Sequence, residues 1–324
     1  VEAPVTEEAI LNALKARPGE FVSGEELSRM AGVTRTAIWK EIEKLRGEGY
    51  KILAQPHSGY QLVGIPDRLT AQELSWNLRT AKVGRRIHCY DTTDSTMDVA
   101  QRLAAAGEPE GSVVFAEGQG RGRGRMGRTW ISPKGKGIYC SVILRPQLQL
   151  TEISKITLVA AVAVARAVEQ GTGLKPEIKW PNDLLIGGKK LCGILTELNA
   201  ELNRVNYVVV GIGMNVNTPG DKLPAHGTSL MRELGEKVDR LELARQLLAQ
   251  LDKTYAQFIK EGMSPVLEQW RGFAGFLGRR VRVAVEGRVL DGQALDVDPS
   301  GALLVRMDTG LVESVSAGEV LLVR

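Results

Sequence analysis

Between Gly118 and Gly127 the chain reads GQGRGRGRMG, and it runs on through Arg128 and Thr129 into Trp130. Four arginines, Arg121, Arg123, Arg125 and Arg128, stand there with no acid between them. Glycine maximises chain entropy and the arginines repel one another, so such a loop on its own is expected to stay mobile until a polyanion neutralises it. Guanidinium forks beside open backbone N–H groups make a phosphate clamp. The alternative is a short RGG-like tract that binds RNA without sequence preference. The predicted strands on either side and the direct entry into Thr129-Trp130 favour a ligand loop. No G-x-x-x-x-G-K-[ST] occurs, and no G-x-G-x-x-G follows a strand and opens a helix, so neither a P-loop nor a dinucleotide fold is implied. Three histidines, His57, His88 and His226, leave little room for a histidine triad or a dedicated metal centre. A phosphate-gripping enzyme without an evident nucleophile works by positioning and charge stabilisation.

Three further constellations stand out. Lys179-Trp180-Pro181-Asn182-Asp183 ends a predicted strand, and Lys190 follows the Gly187-Gly188 turn. A lysine on such a hairpin can set a fixed positive charge against a carboxylate or an α-phosphate; the plain alternative is a surface pair, Lys189-Lys190. Gly211-Ile212-Gly213-Met214-Asn215-Val216-Asn217 is a strand ending in glycines that admit close backbone approach to a ligand. Asp94-Ser95-Thr96 opens a helix, where capping and ligand binding are equally open readings.

These residues need elements to hold them. Residues 66–273 alternate helical patterns (71–78, 96–106, 154–170 with Gly171 as its C-cap, 241–260) with strand patterns (113–117, 137–144, 178–180, 184–186, 193–197, 207–211). Strands joined by hairpins and interleaved with helices predict an α+β domain with a mixed sheet. From residue 274 the pattern turns all-β: Val281, Val283 and Val285 alternate, and Glu286-Gly287, Asp291-Gly292, Pro299-Ser300-Gly301 and Thr309-Gly310 punctuate short strands, as in an SH3-like barrel. Residues 1–65 read as three short helices and a hairpin. Ser23 and Glu26 make a capping box, Ala31-Gly32-Val33 a turn, and Thr34 caps a helix carrying Ile38, Ile42 and Leu45 on one stripe. That is helix-turn-helix spacing, with a wing over residues 50–63. Arg35, Thr36 and Lys40 fall off the stripe, where a recognition helix meets DNA, although such units also dock proteins. Trp39 either contacts DNA or packs inward, and packing is the commoner fate.

Composition sets bounds on all of this. At 324 residues the chain has room for two or three domains. Forty-two basic residues against 38 acidic give a net charge of +4, too mild for coating nucleic acid by charge alone, so DNA contact must be a local patch. Cys89, Cys140 and Cys192 lack any C-x-x-C spacing and read as reduced cytoplasmic thiols. The acidic start at Val1-Glu2-Ala3-Pro4 and the short apolar run from Ile156 to Ala165 argue against a signal peptide and a membrane span, so no membrane partner is expected.

Together, AEGQGRGRGRMGRTW (116–130), KWPNDLLIGGKKLCGILTE (179–197), GIGMNVN (211–217) and DSTMD (94–98) resemble the biotin protein ligases. VTRTAIWKEIEKLRGEGY (33–50) is similar to the subclass that also serves as the biotin operon repressor. The resemblance spans all three segments, expected at 1–65, 66–273 and 274–324. It implies a winged helix-turn-helix, an α+β ligase domain and a C-terminal SH3-like barrel. It also implies condensation of biotin with ATP and Mg²⁺ to biotinoyl-5′-adenylate, then transfer to one lysine of biotin carboxyl carrier protein. Under it Ser95, Thr96, Gln119, the backbone around Arg123, and Gly193 hold biotin. Lys190 bridges the biotin carboxylate and the α-phosphate, and is catalytic together with Arg125. Arg125, Arg128, Trp130, Asn182 and Asn215 hold the adenylate, and Arg35, Thr36 and Lys40 meet operator DNA. The adenylate would also drive homodimerisation. Met97 departs from the asparagine that many relatives carry after Ser-Thr. A biotin-sensing transcription factor without catalysis and a lipoate ligase are the alternatives; sensing needs no triphosphate clamp, and neither the glycine–arginine motif nor the DNA-binding unit supports the lipoate reading.

Overall fold

The computed structural model describes residues 5–201, 204–285 and 288–322. The chain divides into two compact units, with the boundary between Arg68 and Leu69.

In the first unit, α1 (Val5–Lys15), α2 (Gly24–Ala31) and α3 (Arg35–Gly47) precede a hairpin of β1 (Lys51–Gln55) and β2 (Gly59–Gly64). Ile38, Ile42 and Leu45, spaced along one face of α3, are buried with Ile10, Leu11, Leu14 and Leu27 in a separate small core. Gly32, in the left-handed conformation, stops α2, and Thr34 accepts from Ala37 N to start α3. Only half of the expected capping box forms. Ser23 Oγ accepts from Glu26 N at 3.1 Å, but the Glu26 carboxylate turns to Arg17 at 2.7 Å, because a charge-assisted bond outbids a neutral N–H. Trp39 does not pack inward: it is 54% exposed on the outer face of α3. The reason is periodicity, since Trp39 directly follows the buried Ile38 and lies about 100° around the helix from it.

The second unit begins with α4 (Ala71–Ser75), β3 (Ile87–Thr93), α5 (Thr96–Ala105), β4 (Val113–Gln119), β5 (Gly137–Leu144) and α6 (Ile153–Thr172). Then come β6 (Glu177–Lys179), β7 (Asp183–Ile186), β8 (Lys189–Glu201), β9 (Arg204–Asn215), α7 (Leu230–Leu234), α8 (Arg240–Glu261) and α9 (Ser264–Arg271). The strands form one mixed sheet in the order β3-β4-β5-β9-β8-β7-β6, with β3 and β4 parallel and the remaining pairs antiparallel. Alternating residues of the strands face two cores. One is shared with α6 and α8; the other, including Val114, Ile143 and Val209, packs on Met97, Val99 and Ala100 of α5. The helix expected to end at Gly171 runs on to Thr172 and stops at Gly173. Gly171 lies instead inside α6 where it faces α8, with the Gln246 carboxamide tip and Leu243 against it. The helix expected over 71–78 stops at Ser75, and Asn77 takes a positive φ.

The last 45 described residues carry β10 (Arg280–Val285), β11 (Arg288–Val297), β12 (Leu303–Met307), β13 (Val312–Val315) and β14 (Glu319–Leu322), an antiparallel sheet in the order β13-β12-β11-β10-β14. The expected SH3-like barrel is thus not closed: β14 crosses to pair with β10, and no ladder joins it to β13 among the described residues. Closure is not needed for burial, because Val281, Val283, Leu303 and Val305 share the main core with Trp270 and Phe276. The expected turn at Glu286-Gly287 and the Val1–Pro4 segment lie outside the described residues.

Candidate functional site

A cavity of about 220 Å³ opens where the N-terminus of α5, the 119–131 loop, the 179–183 segment and the ends of β8 and β9 converge. Its floor is a glycine pair. Gly193 of β8 lies opposite Gly213 of β9, and Trp130 lies across both. A Cβ on Gly213 would stand 2.5 Å from the indole nitrogen, and one on Gly193 3.0 Å from the ring. The sequence therefore gives the indole a flat seat that any side chain would lift. Trp130 Nε1 is buried without a hydrogen-bond partner, a donor that a bound acceptor would satisfy.

One end of the cavity is a rigid polar cluster. Gln119, the last residue of β4, accepts through Oε1 from Thr96 N (2.9 Å) and Thr96 Oγ1 (3.2 Å), and donates through Nε2 to Ser132 Oγ (2.8 Å). Ser141 Oγ donates to Thr96 Oγ1 at 2.8 Å. Ser95 caps α5 by accepting from Met97 N, which settles its capping role on geometry while leaving it at the cavity wall. Met97 is buried and packs against Gly211, so the departure from asparagine adds apolar surface beside the cavity.

The other end is cationic. Lys190 is fixed at its backbone, where N donates to His226 O (2.7 Å) and O accepts from Thr228 N (2.9 Å). Its Nζ lies 2.8 Å from Asp183 Oδ1 and 5.6 Å from the Trp130 ring centre. Arg125 Nη1 donates to Asn182 Oδ1 at 2.7 Å, and Asn182 is pinned to β8 by Nδ2 donating to Ile194 O and by Ile194 N donating to its own carbonyl. Burial pulls the Arg125 guanidinium pKa down, against the carboxylates of Asp183 and Glu319. Asn215, at the end of β9, lines the cavity and donates through Nδ2 to Thr228 O at 3.1 Å.

The arginine loop is not left unneutralised, contrary to the expectation of a loop awaiting a polyanion. Arg121 pairs with Asp94, Arg123 with Asp98 and Glu197, and Arg128 with Glu319. The acids come from the turn before α5, from α5, β8 and β14, all distant in sequence, and they offset the repulsion that the loop alone would suffer. The Arg128 fork holds the Glu319 carboxyl below the usual glutamate range.

Ser95, Thr96, Gln119, Arg123, Arg125, Arg128, Trp130, Asn182, Lys190, Gly193 and Asn215 thus all line this one cavity. Sequence reasoning sets Asp183 beside the phosphate site without a role, and does not name Lys179, Gly211, Gly213 or Glu319 as site residues. The first four sit inside motifs already noted, whereas Glu319 lies 191 residues from its partner Arg128 and gave no local signal. In the first unit, Arg35, Thr36 and Lys40 are exposed on α3, with Arg35 paired to Glu25. Cys140 and Cys192 are buried and all three cysteines are free. No helix among the described residues is long and apolar enough to cross a membrane.

Comparison with known proteins agrees with this geometry. Residues 89–215 match the Biotin/lipoate A/B protein ligase family, 6–61 an HTH domain and 276–323 the Biotin protein ligase C terminal domain. The bifunctional ligase/repressor BirA of Bacillus subtilis is 40% identical over 92% of this chain and 93% of its own length. The bifunctional ligase/repressor BirA of Escherichia coli is 32% identical over 93% of each. Among solved structures, the biotin protein ligase from Aquifex aeolicus in complex with biotin and ATP superposes with a TM-score of 0.64 at 28% identity, covering 74% of this chain and 99% of that one. The chain belongs to the biotin protein ligase family, in the branch that carries an N-terminal helix-turn-helix domain.

Proposed function

We propose that this protein activates biotin with ATP and transfers it to one lysine of a biotin carboxyl carrier protein, and that it doubles as a DNA-binding repressor of the biotin operon. What carries the reading is the cavity: a neutral hydrogen-bonding end and a cationic end meet over the Trp130 floor, which suits an uncharged ureido ring joined through a carboxylate to a nucleotide.

In this reading biotin lies against Ser95, Thr96, Gln119, the Arg123 backbone and Gly193. Its carboxylate points at Lys190. The carboxylate oxygen attacks the α-phosphorus of ATP, the P–O bond to pyrophosphate breaks, and biotinoyl-5′-adenylate remains under Arg125, Arg128, Trp130, Asn182 and Asn215. Lys190 and Arg125 act where charge develops on the α-phosphate, and preorganised cations there stabilise the transition state more than the ground state. The carrier's lysine amine then attacks the acyl carbonyl, expelling AMP. Mg²⁺ would enter with ATP and shield the triphosphate. Such an ion needs one or two carboxylates beside the phosphate oxygens, and Asp183 supplies an oxygen donor at the cavity wall.

Arg35, Thr36 and Lys40 would meet operator DNA, and a dimer reading two half-sites supplies contacts that one small unit lacks. Biotinoyl-adenylate occupies the arginines where biotin alone cannot, so it is the ligand that promotes homodimerisation, and linkage makes the two reciprocal. All of this chemistry suits the cytoplasm, where the three thiols stay reduced. The names of the Bacillus and Escherichia relatives, and the biotin and ATP held by the Aquifex structure, support the reading.

The test is incubation with biotin, ATP, Mg²⁺ and a carrier domain. A mass gain on a single carrier lysine is expected; no gain would leave a sensor without catalysis. Sedimentation of the protein alone, with biotin and with the adenylate tests the coupling, and an association constant equal in all three would refute it.

A further inference from the structure

The turn joining β11 to β12 is closed by two backbone bonds, Asp298 N to Ala302 O and Gly301 N to Asp298 O (both 2.9 Å), and braced by one carboxylate. Asp298 Oδ1 accepts from Ser300 N (2.8 Å), Ser300 Oγ (2.5 Å) and Ala302 N (3.1 Å), while Oδ2 accepts from Ser314 Oγ of β13 (3.2 Å). Held in this way, the turn offers two backbone carbonyls to the ligase domain. Ser300 O accepts from Ser154 Oγ at the start of α6 (2.7 Å), and Gly301 O accepts from Trp180 Nε1 (3.1 Å). Gly301 takes a φ of +91°, and a Cβ there would lie 2.9 Å from Ser154 Oγ, so only glycine allows this approach.

Trp180 is wholly buried, and the indole bond to Gly301 fixes its orientation. Two residues on, Asn182 receives Arg125; three residues on, Asp183 pairs with Lys190. The segment that aligns both cations of the site therefore has one of its anchors in the C-terminal sheet.

We propose that Asp298 is a positioning residue for adenylate formation. By fixing the 298–301 turn it fixes Trp180, and through Trp180 the Asn182 and Asp183 side chains that aim Arg125 and Lys190. The proposal rests on the reading of this cavity as a biotin- and ATP-binding site. It predicts a larger effect on the ATP side than on the biotin side. The Ser95–Thr96–Gln119 cluster is held by its own hydrogen bonds to Ser132 and Ser141 and does not touch the turn.

The experiment measures biotin-dependent pyrophosphate release by the full-length protein, varying ATP and biotin separately. Asp298→Ala should lower kcat/KM for ATP by about 10-fold or more, since misplacement by about 1 Å can cost on the order of 10². KM for biotin should rise less than KM for ATP, because biotin shares only Lys190 with the misaligned end. Asp298→Asn keeps an acceptor oxygen for Ser300 and Ala302 and should recover most of the loss. Trp180→Phe, which removes the indole N–H, should reproduce the ATP-side defect, and the double variant should be no worse than the more damaged single one. Wild-type kinetics in Asp298→Ala, equal rises in both KM values, or multiplying defects in the double variant would overturn the proposal. If Asp298→Ala does not accumulate as folded protein, Trp180→Phe decides: a normal KM for ATP and normal kcat overturn the proposal, and a selective ATP-side defect supports it. Wild-type protein that releases no pyrophosphate with biotin would instead overturn the ligase reading itself.

Discussion

Replacing Lys190 by alanine tests the cationic end of the site at one atom. Its Nζ is 2.8 Å from Asp183 and stands over the Trp130 ring, on a backbone pinned on both sides to the 226–228 segment. The truncation therefore removes a charge without freeing the strand. Two unit charges about 4 Å apart interact by about 4 kcal/mol at an effective dielectric of about 20. Loss of one preorganised donor to a developing oxyanion costs about 2.7–4 kcal/mol, or about 10²–10³ in rate. The Lys190 side chain keeps 35% of its surface exposed, so water offsets part of the loss and the lower end, about 100-fold, is expected. The same exposure limits the stability cost of the broken pair to about 1 kcal/mol at most. The assay is single-turnover pyrophosphate release at saturating biotin and ATP, with the thermal midpoint as the control for folding. A wild-type rate in Lys190→Ala would refute the assignment, and a collapsed midpoint would show that the pair is chiefly structural.

Three further outcomes are expected. Arg125→Gly severs the bond between the loop and Asn182 and should release biotinoyl-adenylate into solution, read as biotin on bystander lysines in a mixture of unrelated proteins; modification confined to the carrier lysine would remove Arg125 from the clamp. Gly213→Ala puts a methyl group 2.5 Å from the Trp130 indole nitrogen and should raise KM for ATP by about 10-fold or more while leaving the α5 cluster intact, so an unchanged KM would show that the indole does not floor the nucleotide site. Removing residues 1–65 should abolish operator binding and preserve most ligase activity, because the residues proposed to hold biotin and ATP all lie beyond residue 94; loss of biotinylation in the shortened chain would contradict it.

The glycine–arginine loop, the KWPND segment and the third helix of the first unit were legible because each is a local pattern: glycines where the backbone must pass close, a lysine just beyond a two-glycine turn, apolar residues at helical spacing. What the sequence hid is tertiary. Asp98, Glu197 and Glu319 carry no mark that they face the arginines, and they become partners only when α5, β8 and β14 converge on the loop. Gly171 looked like a helix end because glycine at a terminus and glycine inside a helix are the same letter; the run of α6 on to Thr172 decides between them. Trp39 was set against the base rate for tryptophan burial, yet its neighbour Ile38 takes the buried face of α3 and leaves it outside. The open C-terminal sheet reads as a barrel in sequence since strand alternation does not reveal whether an apolar face is sealed by its own edges or by another element.

The most direct measurement of the account is a single-turnover trap without acceptor: full-length protein mixed with biotin, ATP and Mg²⁺, with pyrophosphate followed in time and the protein then separated and its bound ligand identified by mass. The account predicts a burst approaching one pyrophosphate per chain that requires biotin, biotinoyl-5′-adenylate retained on the protein, and its discharge to AMP when a carrier domain is added. No biotin-dependent burst, or ATP and biotin recovered unreacted from the protein, would contradict it.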